Sequence, residues 1–398
     1  MSQKDPSAVH DDPSPGFPYR LVHRAGLLAS THSWELGTAI EAYMEILDTV
    51  LPTSIFASNP FSNGTLPLRS STIYPPLVHA AVAISYPPST PTLFPSDHIG
   101  VADPCALGVP GLLLGQSSPE YLTAARAQIH HVLNTAPRLA NGAISHRFDV
   151  VEAWADFVYM LAPFLAYAAV AFEEFELLRD AVRQCELYRE ILLDDAEGSV
   201  TRGLWRHIGP FGAEERTTPN EDRGFWATGN GWAAMGIARV LGIVKAWTSL
   251  PFAQHHEIGE MLMAEEKLVA WIGEILDGAM RVDSLDDANT TGLLRNYLDD
   301  ASYFPEVAGT ALLAAVVYRM AVFRADIFGE EAKAGSDIPI PGSELLLSFD
   351  YLPFPSRGTL HDLVIPTIQS MTNTSFEQRH EKHDINTRVV LLVHQSRH

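Results

Sequence analysis

The segment Phe225–Trp232, FWATGNGW, places Trp226, Asn230 and Trp232 around two glycines and runs directly into AAMGIARVL. Aromatic faces beside pliable, polar backbone suit stacking and hydrogen bonding to a sugar-like ligand. The bland alternative is a helix N-terminus with Gly for turn geometry and Trp for packing. Asp156 is the second candidate, in VVEAWADFVYMLAPFLAYAAVAF beside Trp154 and Tyr159. Apolar surroundings favour the protonated form of a carboxyl, which is the form a general acid needs. A buried Asp satisfied by a cap, a Tyr or an Arg would read the same. His146, in Ser145-His-Arg147, and His207, in GLWRH before a GPFG turn, add imidazoles that alone would pass as capping or surface residues. Asp103 before Pro104 reads first as a turn former and helix cap, and Glu306 in YFPEVAGTA as an acid at a helix start, favoured by the macrodipole.

These residues have to be positioned by helices. Apolar positions recur near i, i+3, i+4 and i+7 over Ser33–Val50, Pro76–Ile84, Ala106–Leu114, Pro119–Leu133, Val151–Phe172, Glu174–Leu193, Asn230–Thr248, His255–Leu276 and Glu306–Phe323. No long alternating Val/Ile/Thr run appears before RVVLLVHQ near the end, so a large sheet is not expected. Many helices with variable loops and no fixed period fit a closed helical toroid better than a consensus solenoid. Residues 1–20 read as a disordered, Pro-rich arm, 21–327 as one helical domain, and 328–398 as an irregular tail.

Composition narrows the function classes. Asp and Glu number 48 against 27 Lys and Arg, a net charge of −21, which argues against nucleic acid or anionic membrane as partner. Hydrophobic residues make up 46% and charged residues 19%, enough apolar material for a large core. Cys105 and Cys185 are the only cysteines, too few for a disulfide framework or a Cys-type zinc site. The start has no apolar signal core and no long apolar run follows, so a cytoplasmic location is expected, and the triplets at Asn63, Asn289 and Asn373 read as chance matches to a glycosylation site. GxSxG, P-loop, HExxH and GxGxxG signatures are absent.

In this order, ADFVYMLAPFLA, GLWRHIGPF, FWATGNGWAAMGIARVL and EVAGTALLAAVVYRM resemble segments of the unsaturated glucuronyl and rhamnogalacturonyl hydrolases, glycoside hydrolase families 88 and 105. The resemblance runs from about Trp34 to Phe323 and implies an all-α, (α/α)6 barrel, a six-hairpin toroid. It further implies an unusual glycosidase chemistry. An Asp protonates the 4,5 double bond of an unsaturated uronyl sugar and assists addition of water, and the hemiketal formed then collapses with release of the leaving group. Asp156 matches that catalytic Asp and Asp103 the second family Asp. His146, His207, Trp226, Thr228, Asn230 and Trp232 match substrate-binding positions. No metal or organic cofactor is implied, and the partner is a small-molecule or oligosaccharide substrate.

The chain departs from that pattern at Thr228, where the resemblance implies arginine, and at Ala227, where it implies glycine. Thr cannot supply the rigid cationic fork that an Arg offers an anionic ligand. Two other readings therefore stand beside the hydrolase. One is a repurposed barrel lyase, hydratase or cyclase acting on a non-sugar intermediate of secondary metabolism, and the other a non-catalytic carbohydrate- or metabolite-binding protein.

Overall fold

The computed structural model describes residues 19–47, 60–61, 64–67, 74–84, 91–97, 99–211, 217–286 and 291–328. The expected arm up to residue 18, the tail from residue 329 and the RVVLLVHQ segment lie outside the described residues. The described helices are α1 (Tyr19–Ala29), α2 (Ser33–Leu47), α3 (Pro75–Ala83), α4 (Gly108–Leu114), α5 (Pro119–Thr135), α6 (Phe157–Phe172), α7 (Phe175–Leu192), α8 (Ala227–Trp247), α9 (His255–Asp283), α10 (Val307–Phe323) and α11 (Ala325–Phe328). None is long and apolar enough to cross a membrane.

Burial sorts these helices into two layers. In α6 every residue from Phe157 to Val170 is buried, and in α8 all but Trp232 and Lys245 are. A helix apolar on all sides belongs inside the protein. By contrast α5, α7 and α9 each bury one face and leave charges on the other. The inner set runs α2, α4 with its preceding 3₁₀ turn Asp103–Leu107, α6, α8 and α10, each packed on the next, with α3, α5, α7, α9 and α11 outside. This is the all-α, (α/α)6 architecture expected from the sequence.

Ion pairs draw α2 to the far members of the inner layer. Arg239 of α8, itself only 3% exposed, binds Glu41 and Glu45 of α2, and Arg319 of α10 also binds Glu45. Burial pushes the Glu41 carboxyl up to about 7 against the pull of Arg239, whereas Arg319 and Arg239 together hold Glu45 below the usual carboxylate range despite its burial. A folded-state pKa above the unfolded value means that Glu41's contribution to stability is full below about pH 4.5 and is lost as pH rises through 7. Glu45 acts in the opposite sense, losing its contribution as pH falls through its lowered value. Glu41→Gln is therefore expected to flatten the stability profile between pH 4.5 and 7, measured by urea unfolding across that range. An unchanged slope would show that Glu41 does not titrate there.

Several boundaries differ from the sequence expectation, with α9 running to Asp283 and not to Leu276. The helix expected from Val151 begins only at Phe157, because Ala153–Trp154 forms a short strand, β1, paired antiparallel with Ile208–Gly209, β2, and Ala155 and Asp156 make the turn that leads into the helix. Asp156 is thus the residue preceding a helix and not part of its interior. Conversely α8 begins at Ala227, so most of the FWATGNGW motif is itself helical. Helix α1 was not anticipated, although its sequence is amphipathic; its Leu21, Val22 and Leu28 are exposed.

Candidate active site

At one end of the inner layer, the loops entering the helices are joined by hydrogen bonds into a continuous belt. Gly100 pairs with Arg147, β1 with β2, Ile208 with Asp222, Trp226 with Tyr297, and Arg295 with Pro305. Because each segment fixes its neighbour, the side chains it carries are held at defined spacing although none lies deep in a helix. Asp103, His146, Trp154, Asp156, His207, Asp222 and Trp226 all lie on or next to this belt.

Asp156 enters the site at the first turn of α6. Its backbone carbonyl accepts from the amides of Tyr159 and Met160, but its side chain makes no capping bond. The carboxyl Oδ2 is buried without a hydrogen-bond partner and lies 3.7 Å from Nε2 of His207, which is likewise buried without one. The structural alternatives for this Asp, a cap, a tyrosine or an arginine, do not account for it. Buried polar atoms normally find partners, and an unpaired pair of this kind makes Asp156 and His207 candidates for a chemical role.

His207 is fixed from the other side. Its Nδ1 lies 2.9 Å from Oδ2 of Asp222, which also accepts from the Tyr297 hydroxyl, while Asp222 Oδ1 takes the Gly224 amide. Burial would raise the Asp222 pKa, but the bonds from His207 and Tyr297 hold it below the usual carboxylate range. Burial and the Asp222 charge push the Tyr297 phenol up, so it stays a donor. An Asp222 carboxylate at this position favours the tautomer that carries its proton on Nδ1, and Nε2 then faces Asp156. The Trp226 ring covers His207 with centroids 4.6 Å apart, and its Nε1 is anchored on Asn296.

His146 and Asp103 form a second pair, with Nε2 3.4 Å from Oδ1. The expected capping role of Asp103 gives way to this contact: the helix-entry position before it, Ala102, has no side-chain cap. The carboxylate lies so close to Gly100 that a Cβ there would meet Oδ2. Trp154 joins the two histidines, stacked on His146 at 5.0 Å and meeting His207 edge-on at 5.8 Å. Its Nε1 donates to the fully buried Glu152, which also takes the Asn220 side chain.

The structure gathers Asp103, His146, Asp156, His207 and Trp226, and it places the other expected site residues elsewhere. Asn230 is bonded within the protein: Oδ1 accepts from the Trp205 amide and Nδ2 donates to the carbonyls of Trp205 and Trp226. It latches the GLWRH segment to α8 and, fully buried, presents no surface to a ligand. The Thr228 hydroxyl donates to Glu306, the N-cap of α10, where a Cβ on Gly309 would strike the backbone of Ala227 and Thr228. Burial raises the Glu306 pKa against the amides and hydroxyl that bind it. Trp232 lies one turn further along α8, its ring 4.3 Å from that of Tyr159.

Sequence reasoning missed Asp222, Tyr297 and Trp154's bridging role. Asp222 stands in the polar stretch NEDRG, where an Asp two residues before a Gly is an ordinary turn signal. The one available hint was its position just upstream of the Trp motif. Among the described residues, no group of three or more His, Cys, Asp or Glu side chains is arranged to hold a metal ion.

Residues 112–322, more than half of the chain, match the model of Glycosyl Hydrolase Family 88, and the chain belongs to that family. Over 208 residues it is 26% identical to the unsaturated rhamnogalacturonyl hydrolase YesR of Bacillus subtilis (strain 168), an alignment covering 50% of this chain and 51% of the relative. The chain thus spans about half the length of the curated relative it matches. Similar solved structures include a glycosyl hydrolase family 88 protein from Bacteroides vulgatus, at 15% identity, 85% and 86% coverage of this chain and that one, and a TM-score of 0.49. Another is a possible GH105 family member from Klebsiella pneumoniae subsp. pneumoniae MGH 78578, at 20% identity, 63% and 59% coverage, and a TM-score of 0.45.

Proposed function

We propose that the protein hydrates the 4,5 double bond of an unsaturated uronyl or related sugar, with Asp156 as both proton donor and proton acceptor. The observation that carries this reading is the buried, partnerless Asp156 Oδ2 facing the partnerless Nε2 of His207. Protonated Asp156 delivers its proton to C4 and the positive charge develops at C5 and the ring oxygen. Water adds its oxygen to C5 and gives a proton back to the Asp156 carboxylate. The C5 hemiketal opens by breaking its bond to the ring oxygen, and the hemiacetal left at C1 then expels the aglycone as an alcohol. One water is consumed and two products leave. The second carboxylate that a displacement at the anomeric carbon requires has no part in this route.

Asp222 and His207 serve as a positioning pair that orients water and the Asp156 carboxyl, and Trp226 and Trp154 offer ring faces to the sugar. The relative's name points to unsaturated rhamnogalacturonyl substrates, and a disaccharide of that class is the first to supply. Disappearance of the ultraviolet absorbance of its double bond measures the reaction, and no decay with the wild-type protein under any condition would defeat the proposal. Asp222→Asn, which keeps the shape but removes the charge that holds the Nδ1 proton, is expected to lower kcat on the order of 10²-fold with a small change in KM. A mutant with unaltered kcat would remove Asp222 from the mechanism.

A further inference from the structure

The site is built from carboxylates. Asp103 lies against His146, and Asp156 and Asp222 flank His207, so a wall made of two imidazoles carries three acidic groups. The described arginines of the adjoining segments make their bonds to other partners, although Arg147 also feels the charge of Asp103. Arg147 grips Asp149 through Nε and Nη2, and Arg223 binds Glu221. Arg206 lies over the Phe225 ring at 4.6 Å, donates to the Arg223 carbonyl and has Asp194 within 3.8 Å. At Thr228, where the family resemblance implies arginine, the side chain is neutral and its hydroxyl is donated to Glu306.

With Asp156 protonated for its role as acid, a ligand carboxylate brought against this wall still meets the carboxylates of Asp103 and Asp222 in a poorly solvated setting, where repulsion is screened less than in water. An ester in the same place keeps the carbonyl acceptor and the conjugated double bond and loses the charge. From this constellation we propose that the site takes an unsaturated uronyl sugar as its ester, with no anionic group on the reacting ring, in place of the free uronate. The inference rests on the hydratase reading above and specifies its substrate. Discrimination of this kind is a difference between two affinities, and the acidic wall supplies the element that repels the competitor.

The test uses the wild-type, full-length chain and two probes, the unsaturated galacturonyl-rhamnose disaccharide as free acid and as methyl ester, followed by loss of double-bond absorbance. The ester is expected to show a kcat/KM at least about 10-fold above that of the acid. Equal turnover, or preference for the acid, overturns the inference and leaves the hydratase reading intact. If neither probe is consumed, the hydratase reading fails, and calorimetric titration of the same two compounds decides the inference separately. Tighter binding of the ester supports it; equal binding, tighter binding of the acid, or binding of neither overturns it.

Discussion

Asp156→Asn lowers kcat by about 10³-fold, within the range that a positioned general acid contributes, and leaves KM and stability nearly unchanged. The expectation combines two features of one side chain. Asp156 provides the only described carboxyl that faces His207 Nε2, and it performs no capping function whose loss would weaken α6. Asn retains the size of Asp and can donate to Nε2, so His207 keeps its place on Asp222 while the transferable proton is gone. Turnover is read by the double-bond absorbance and stability by urea unfolding. A variant that unfolds more readily by several kcal/mol would make Asp156 a structural residue, and one that keeps wild-type turnover would remove it from the chemistry.

Asn230→Ala is expected to destabilise the protein by about 3 kcal/mol, because it strands a buried donor and a buried acceptor together. The Trp205 amide and carbonyl both end on the Asn230 amide group, which is completely buried between the GLWRH segment and the first turn of α8. No water can replace a partner at a position with no exposure unless the segment moves. Such a movement would carry His207, two residues along, away from Asp156, so activity should fall with stability. Unfolding in urea gives the first quantity. A loss below about 0.5 kcal/mol, the level of an ordinary surface substitution, would show that Asn230 is not the latch described.

The positions of the helices were legible because apolar periodicity survives in a chain that buries one face of each outer helix and all faces of α6 and α8. The site was legible in part. Asp156 stood out as a carboxyl in an apolar run, and His207 and Trp226 through aromatic company. The same motif misled at Asn230 and Thr228. Both are polar residues beside Gly and Trp, the pattern of a ligand loop, yet α8 starts at Ala227 and turns them toward Trp205 and Glu306. Which face a residue in the first helical turn presents depends on a boundary that composition fixes poorly.

By itself the sequence determined the helical class and the family pattern of its segments, and it singled out Asp156 as a candidate acid, since periodicity and residue chemistry are local properties. Only the tertiary structure decided what surrounds that acid. Asp222 reaches His207 through the pairing of Ile208 with Asp222, and Tyr297 arrives from beyond α9 through its pairing with Trp226. Thr228 meets Glu306 because Gly309 lets α10 approach α8. These are contacts between residues far apart in the chain, set by hydrogen-bond register and helix packing, and no spacing along the sequence encodes them.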